Sequence, residues 1–167
     1  MKLYMKQKVF SWKDRFTVKN EELADVFCVE GKFFSLGKQL HIYDMAGNEL
    51  AFVKQKLLTL MPRFFVERDG RTICEIAKKL TFLKPRYVVE GLGLEVQGDI
   101  FDHDYVITDG TYDVVSIHKK WISWGDTYEL DIMPGFDPVT ALAVVLAIDA
   151  VMEAQAAAAA SSSSSDS

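Results

Sequence analysis

Four stretches of this 167-residue chain, residues 6–18, 54–66, 77–89 and 118–130, align with one another without gaps, and that self-similarity limits the folds open to it more than any other feature. Equivalent columns carry the same chemistry. Lys8, Lys56, Lys79 and Lys120 share one column; Trp12, Leu60, Leu83 and Trp124 a second; Phe16, Phe64, Tyr87 and Tyr128 a third; Val18, Val66, Val89 and Leu130 a fourth. Each unit reads as a strand leading to a tight turn, at Asp14, Pro62, Pro85 or Asp126, and then a strand in which an aromatic residue alternates with an aliphatic one two positions on. The repeated unit is therefore a β-hairpin.

The tripeptide Val29-Glu30-Gly31 recurs as Val89-Glu90-Gly91 and suggests a longer duplication around these hairpins, and Ala46-Gly47-Asn48 and Asp109-Gly110 add further turn signals. All the alternating runs together make roughly a dozen short strands, the pattern of an all-β barrel or sandwich.

The period changes after Met133. Asp137 stands where a helix N-cap belongs and Pro138 at the first helical position, where its missing N–H is no loss. Residues 139–152 are then apolar on every face, interrupted only by Thr140 and Asp149, so the predicted helix, 138–153, must be buried. The strongly apolar stretch rises about 21 Å, short of the roughly 30 Å hydrocarbon core of a bilayer. A barrel of about a dozen strands leaves an axial space that one helix can fill. These readings predict one domain over 1–154: a closed, roughly twelve-stranded antiparallel barrel around a hydrophobic C-terminal helix. Residues 155–167, rich in Ala and Ser, are expected to be a low-complexity, disordered tail.

The chain carries a net charge of -5, unevenly spread: residues 1–66 hold 11 Lys and Arg against 7 Asp and Glu, and residues 67–132 hold 8 against 13. The excess in the first half is too dispersed for a nucleic-acid-binding surface. Cys28 and Cys74 lie in separate apolar runs without a metal or redox spacing, and no secretory signal precedes them, so a reduced, cytosolic protein is expected.

No catalytic residue stands out. No Ser lies in a nucleophile elbow and no Cys beside a recognisable base. Glu90-Gly91-Leu92-Gly93 does not open a helix, as a phosphate-binding glycine loop would, and reads as a turn. Asp102, His103 and Asp104 are weak metal-ligand candidates but form a polar loop tip between apolar runs. Nothing calls for a cofactor. The regular polar features are the lysine column (Lys8, Lys56, Lys79, Lys120) and the arginines after three turns (Arg15, Arg63, Arg86), candidates for contact with an anion or a lipid headgroup as well as for a plain solvated face.

The Tyr4-x-Lys6-Gln-Lys8 opening, the Lys78-Lys79-Leu80 strand, the Pro85-Arg86-Tyr87 turn and the apolar helix opened by Asp137-Pro138 resemble the bacterial branch of the LURP-one-related family, in the tubby C-terminal-like superfamily alongside phospholipid scramblases. The resemblance covers residues 1 to about 154. It implies a twelve-stranded barrel threaded by a helix and, because tubby proteins bind phosphoinositide headgroups, a non-enzymatic module at an anionic phospholipid or membrane surface, cytoplasmic and peripheral. A protein-interaction or structural role and an enzyme with a site at the barrel mouth are the alternatives, and the sequence names neither a partner nor an oligomeric state.

Overall fold

The computed structural model describes residues 1–6, 15–34, 37–79, 86–122 and 125–162. Twelve antiparallel strands follow one another around a closed barrel: β1 (Lys2–Lys6), β2 (Arg15–Lys19), β3 (Asp25–Phe34), β4 (Gly37–Asp44), β5 (Glu49–Gln55), β6 (Arg63–Arg68), β7 (Arg71–Lys79), β8 (Arg86–Glu90), β9 (Leu94–Asp99), β10 (Asp104–Thr108), β11 (Asp113–Ile122) and β12 (Gly125–Ile132). Each strand pairs with its neighbours in sequence, and β1 closes the ring against β12, in register from Lys2↔Asp131 to Lys6↔Thr127. Among the described residues closure leaves no strand at an open sheet edge. Register shifts in the β2–β3, β4–β5, β6–β7 and β10–β11 pairs add the local bending that a ring of strands needs.

The four repeats are the hairpins β1–β2, β5–β6, β7–β8 and β11–β12, as the alignment predicts. Their aromatic and aliphatic columns point inward, because alternate residues of a strand face one side. Phe16, Phe64, Tyr87, Tyr128, Val18, Val66, Val89 and Leu130 are all buried. The Val-Glu-Gly recurrence does not mark equivalent places. Val29-Glu30-Gly31 lies within β3, whereas Val89 and Glu90 end β8 and Gly91 opens the following turn, its φ of +101° and the Ile73 carbonyl beside it leaving no room for a side chain. Identical tripeptides thus serve different backbone demands.

Helix α1 (Pro138–Ser162) fills the barrel. From Thr140 to Val151 every residue is buried, and the helix packs against the inward faces of the strands. By length and composition it is apolar enough to cross a membrane, yet this apolar stretch is the barrel's own core. Each fully buried Val, Leu or Ile contributes about 1.5–3 kcal/mol over its exposed state, so the helix supplies a large share of the driving force.

Asp137 caps the helix as expected: its Oδ2 accepts from the Thr140 N–H at 2.7 Å. The same oxygen takes a charge-assisted hydrogen bond from Arg68 Nη1 at the end of β6, and Arg68 also donates to Thr140 Oγ1 at 3.1 Å. The other end corrects the expected boundary. The helix runs to Ser162, and Gln155 belongs to the packed structure, its Oε1 accepting from Lys78 Nζ (3.1 Å) and from the Tyr87 hydroxyl (3.2 Å). Alanine-rich sequence with no competing polar side chains extends the helix past the barrel, where residues 156–161 are exposed.

Replacing Asp137 with Ala removes the cap and the Arg68 contact together. The expected loss is about 1–2 kcal/mol of unfolding free energy in urea titrations, with the m-value unchanged.

Candidate functional site

Strand parity decides where the repeated cations go. Strands β5, β7 and β11 run toward the end of the barrel at which α1 emerges, whereas β2, β6 and β8 start there. Lys54, Lys56, Lys78, Lys79, Lys119 and Lys120 therefore end strands at this mouth, and Arg15, Arg63 and Arg86 begin them. The six connections at the opposite end, residues 20–24, 45–48, 69–70, 91–93, 109–112 and 133–137, hold five acidic residues and no Lys or Arg, with Lys19, Arg68 and Arg71 flanking them at the strand ends. Charge is thus polarised along the barrel axis, which the division of the sequence into halves captures only in part.

Each described cation of the two columns meets a carboxylate. Lys56 Nζ and Arg63 Nη1 share Glu75, at 3.2 and 2.9 Å. Lys79 pairs with Glu90 at 3.3 Å, Lys120 with Glu129 at 3.6 Å, Arg15 with Glu30 at 3.5 Å, and Arg86 with Glu95. Lys8 lies outside the described residues. Arg15, Lys79, Arg86 and Lys120 keep half or more of their side-chain surface in solvent, and the Lys79 and Arg86 pairs, exposed on both sides, contribute only about 0–1 kcal/mol each, so they exchange partners readily. Glu75 and Glu129 are better held. Burial pushes both carboxyls up, but hydrogen bonds and charge from Arg63 and Lys56, and from Lys2, Tyr4 and Lys120, outweigh it and keep them below the usual carboxylate range.

The four most exposed large apolar side chains lie at the same mouth, while Met1, Leu23, Met45, Leu92 and Tyr112, each less exposed, lie toward the other end. In the β5–β6 connection Leu58 and Leu60 are fully exposed and Leu57 nearly half so, with Leu58 in the left-handed backbone region at φ +58°. Phe101, between β9 and β10, and Trp121, near the end of β11, are 64% and 81% exposed. Leu60 occupies the repeat column whose other members are Trp12, Leu83 and Trp124, which lie outside the described residues.

The metal candidates diverge. Asp102 turns back in its own loop, its N–H donating to Asp99 Oδ1 at 3.1 Å; Asp104 pairs outward with His118 Nδ1 at 2.7 Å; His103 turns inward toward Asp149 of α1. Among the described residues no group of three or more His, Cys, Asp or Glu side chains is placed to hold a metal ion. Asp149 is visible in the sequence as the lone carboxylate of the apolar run, but its partner from a distant loop is not. The same holds for a cleft of about 440 Å³ on the outer face of β2–β4, lined by Arg15, Cys28, Glu30, Tyr43, Asp44 and Met45, in which Arg15 Nε donates to Cys28 Sγ at 2.9 Å. The other cysteine is inert by contrast: burial pushes the Cys74 thiol up to about 12.

A closed up-and-down barrel threaded by its own C-terminal helix defines the class of protein. The family model described as LURP-one-related matches residues 1–149. A Bacillus subtilis (strain 168) protein, described as the uncharacterized protein YxjI, is 41% identical over 152 residues, covering 91% of this chain and 94% of the relative. The X-ray structure of an Arabidopsis thaliana protein superposes with a TM-score of 0.65 over 90% of each chain at 17% identity, a likeness of fold. The chain belongs to the LURP-one-related family.

The depressed carboxyls make acid stability testable. A carboxyl whose folded pKa lies below its unfolded value contributes stability that is present above the usual carboxylate range and is lost as pH falls through the folded value. Glu75→Gln is expected to lower stability at neutral pH by about 1 kcal/mol and to flatten the acid limb of the unfolding curve, read by circular dichroism against pH.

Proposed function

We propose that the protein is a non-enzymatic binding module that rests the helix-exit mouth of its barrel on an anionic phospholipid surface. The observation that carries this reading is the coincidence, at this end, of most of the basic strand termini and the most exposed apolar tips. Peripheral membrane binding uses these two ingredients together: side chains such as Leu and Trp enter the interface, and Lys and Arg beneath them attract anionic headgroups at about 1 kcal/mol each. Leu58 and Leu60 have no role inside the barrel, and exposing them to water is unfavourable unless something covers them.

The ion pairs at the mouth fit this reading. Glu75 carries one charge between two cations, and the exposed partners of Lys79 and Arg86 yield to a phosphate at little cost. The acidic opposite end disfavours the inverted approach and fixes the orientation of docking.

Cosedimentation with phosphatidylcholine vesicles, with and without phosphatidylserine, tests the proposal at low and physiological salt. Binding is expected only to the anionic vesicles, weaker at higher salt, and at least about tenfold weaker for the double variant Leu58→Asp/Leu60→Asp and for Arg63→Glu/Lys79→Glu. Equal binding of the wild-type protein to neutral and anionic vesicles, or to neither, would overturn the reading and turn attention to a protein partner.

A further inference from the structure

Thr140 to Val151 contains a single ionisable residue, Asp149, and it is 6% exposed. Neither of its carboxylate oxygens has a hydrogen-bond partner among the described residues, and the buried Tyr105 hydroxyl of β10 likewise has none. His103, from the connection between β9 and β10, points its Nε2 at Asp149 Oδ1 from 3.4 Å, within ion-pair range but longer than a well-formed hydrogen bond. The imidazole is itself mostly buried and stacks on the Tyr128 ring of β12, with centroids 4.2 Å apart and planes 11° from parallel. Its backbone is in the left-handed region, φ +54°, in a turn closed by the His103 N–H donating to the Ile100 carbonyl. A non-glycine residue held in that region inside so short a connection depends on its surroundings to stay there.

We propose that His103 and Asp149 form a proton-operated latch: sharing one proton, they hold the β9–β10 loop against the central helix, and loss of that proton releases the loop from the barrel mouth. The groups facing Asp149 leave little alternative. Burial holds the Tyr105 phenol well above its ordinary value, and Glu153, one helical turn on and paired with Lys38 of β4 at 3.4 Å, adds negative charge. An ionised Asp149 beside a neutral imidazole is a buried charge without a counter-charge, which an apolar interior does not tolerate. A neutral acid facing imidazole, or a carboxylate facing imidazolium, is tolerated, and both hold one proton. His103, with its side chain 17% exposed, is the route to solvent.

The direction of linkage follows. Burial holds the Asp149 carboxyl above the usual carboxylate range, His103 opposes this and Glu153 adds to it. A group whose folded pKa is raised contributes stability that is present at low pH and lost as pH rises through the folded value. Letting water reach Asp149 by swinging out four residues disturbs the barrel less than unfolding it, so loop release precedes global unfolding. The latch does not rest on the lipid-docking reading, because its contacts are internal and need no ligand, although the loop it holds carries Phe101 of the same mouth.

Hydrogen exchange of residues 100–104, followed by mass spectrometry or NMR as protection factors from the carboxylate range up to alkaline pH, tests it. For the wild-type chain protection is expected to fall by up to about tenfold per pH unit once the shared proton is lost, and for Asp149→Asn, which keeps the size of the side chain and cannot titrate, to stay flat. His103→Gln leaves the helix untouched, removes the ring that faces Asp149 and stacks on Tyr128, and is expected to lower the protection of the loop relative to wild type. Parallel profiles for wild type and Asp149→Asn, or a His103→Gln profile superimposable on wild type, would overturn the latch.

Discussion

The mutual burial of helix and barrel is the constraint on which everything else rests. A ring of twelve strands encloses more space than inward side chains from the strands alone can fill, and α1, with no polar face between Thr140 and Val151, has no stable place in water. Each removes the other's problem. The sheet lacks a core without the helix, and the helix lacks a solvent-compatible surface without the sheet. Because β1 closes against β12, and Met1 donates from its terminal ammonium to the Ile132 carbonyl at 3.2 Å, the ring is complete only when the two ends of the domain have met. Closure is therefore a long-range event, and folding is expected to be correspondingly slow for a domain of this size.

The repeat has a chemical consequence through parity. In an up-and-down barrel every second connection lies at the same end, so four hairpins separated by even numbers of strands all turn their tips to one mouth. Repeating Lys before the tip and Arg after it then concentrates cations there from four separate stretches of the sequence. The polarity along the axis is thus a geometric result of duplication combined with the antiparallel meander. It arises whether or not a ligand has selected for it, which is why the apolar tips, and especially the fully exposed Leu58 and Leu60, carry more of the functional reading than the charges do.

The fold was largely legible in the sequence because its two strongest signals are local and periodic. Alternation marks the strands, the Asp137-Pro138 cap marks the helix start, and the repeat aligns Phe16, Phe64, Tyr87 and Tyr128 as one inward column. Boundaries that depend on tertiary contact were less legible: Gln155 looks like the start of a polar tail until Lys78 and Tyr87 are brought to it. The sites were least legible. Asp102, His103 and Asp104 sit together in sequence and part in space, since successive residues of a turn face different ways, and the pairing of His103 with Asp149 joins residues 46 apart. The cation columns were visible, but the carboxylates that meet them come from neighbouring strands, whose register no short-range pattern specifies.

An apolar helix in an apolar tube poses a further difficulty, because contacts between featureless surfaces change little when the helix slides or rotates. Specificity must come from its few polar residues, and they are spaced along it. Asp137 ties the entrance to Arg68 of β6, Asp149 faces His103 from the β9–β10 connection, and Gln155 meets Lys78 and Tyr87 of β7 and β8 at the exit. Asp137 and Gln155, about five helical turns apart, share one side and engage the neighbouring strands β6, β7 and β8, while Asp149 is turned about 120° from them toward the β9–β10 connection, so sliding or rotating the helix breaks at least one of the three contacts. A displaced helix would leave Asp149 facing only hydrocarbon, a larger loss than any gained contact between methyl groups restores. A buried carboxylate that contributes little net stability can in this way select one register from several of similar packing energy, the role best attested for polar groups in apolar interiors. The group proposed to operate the latch also sets the helix in place, and a residue that tunes an opening by protonation has to be one on which the closed arrangement already depends.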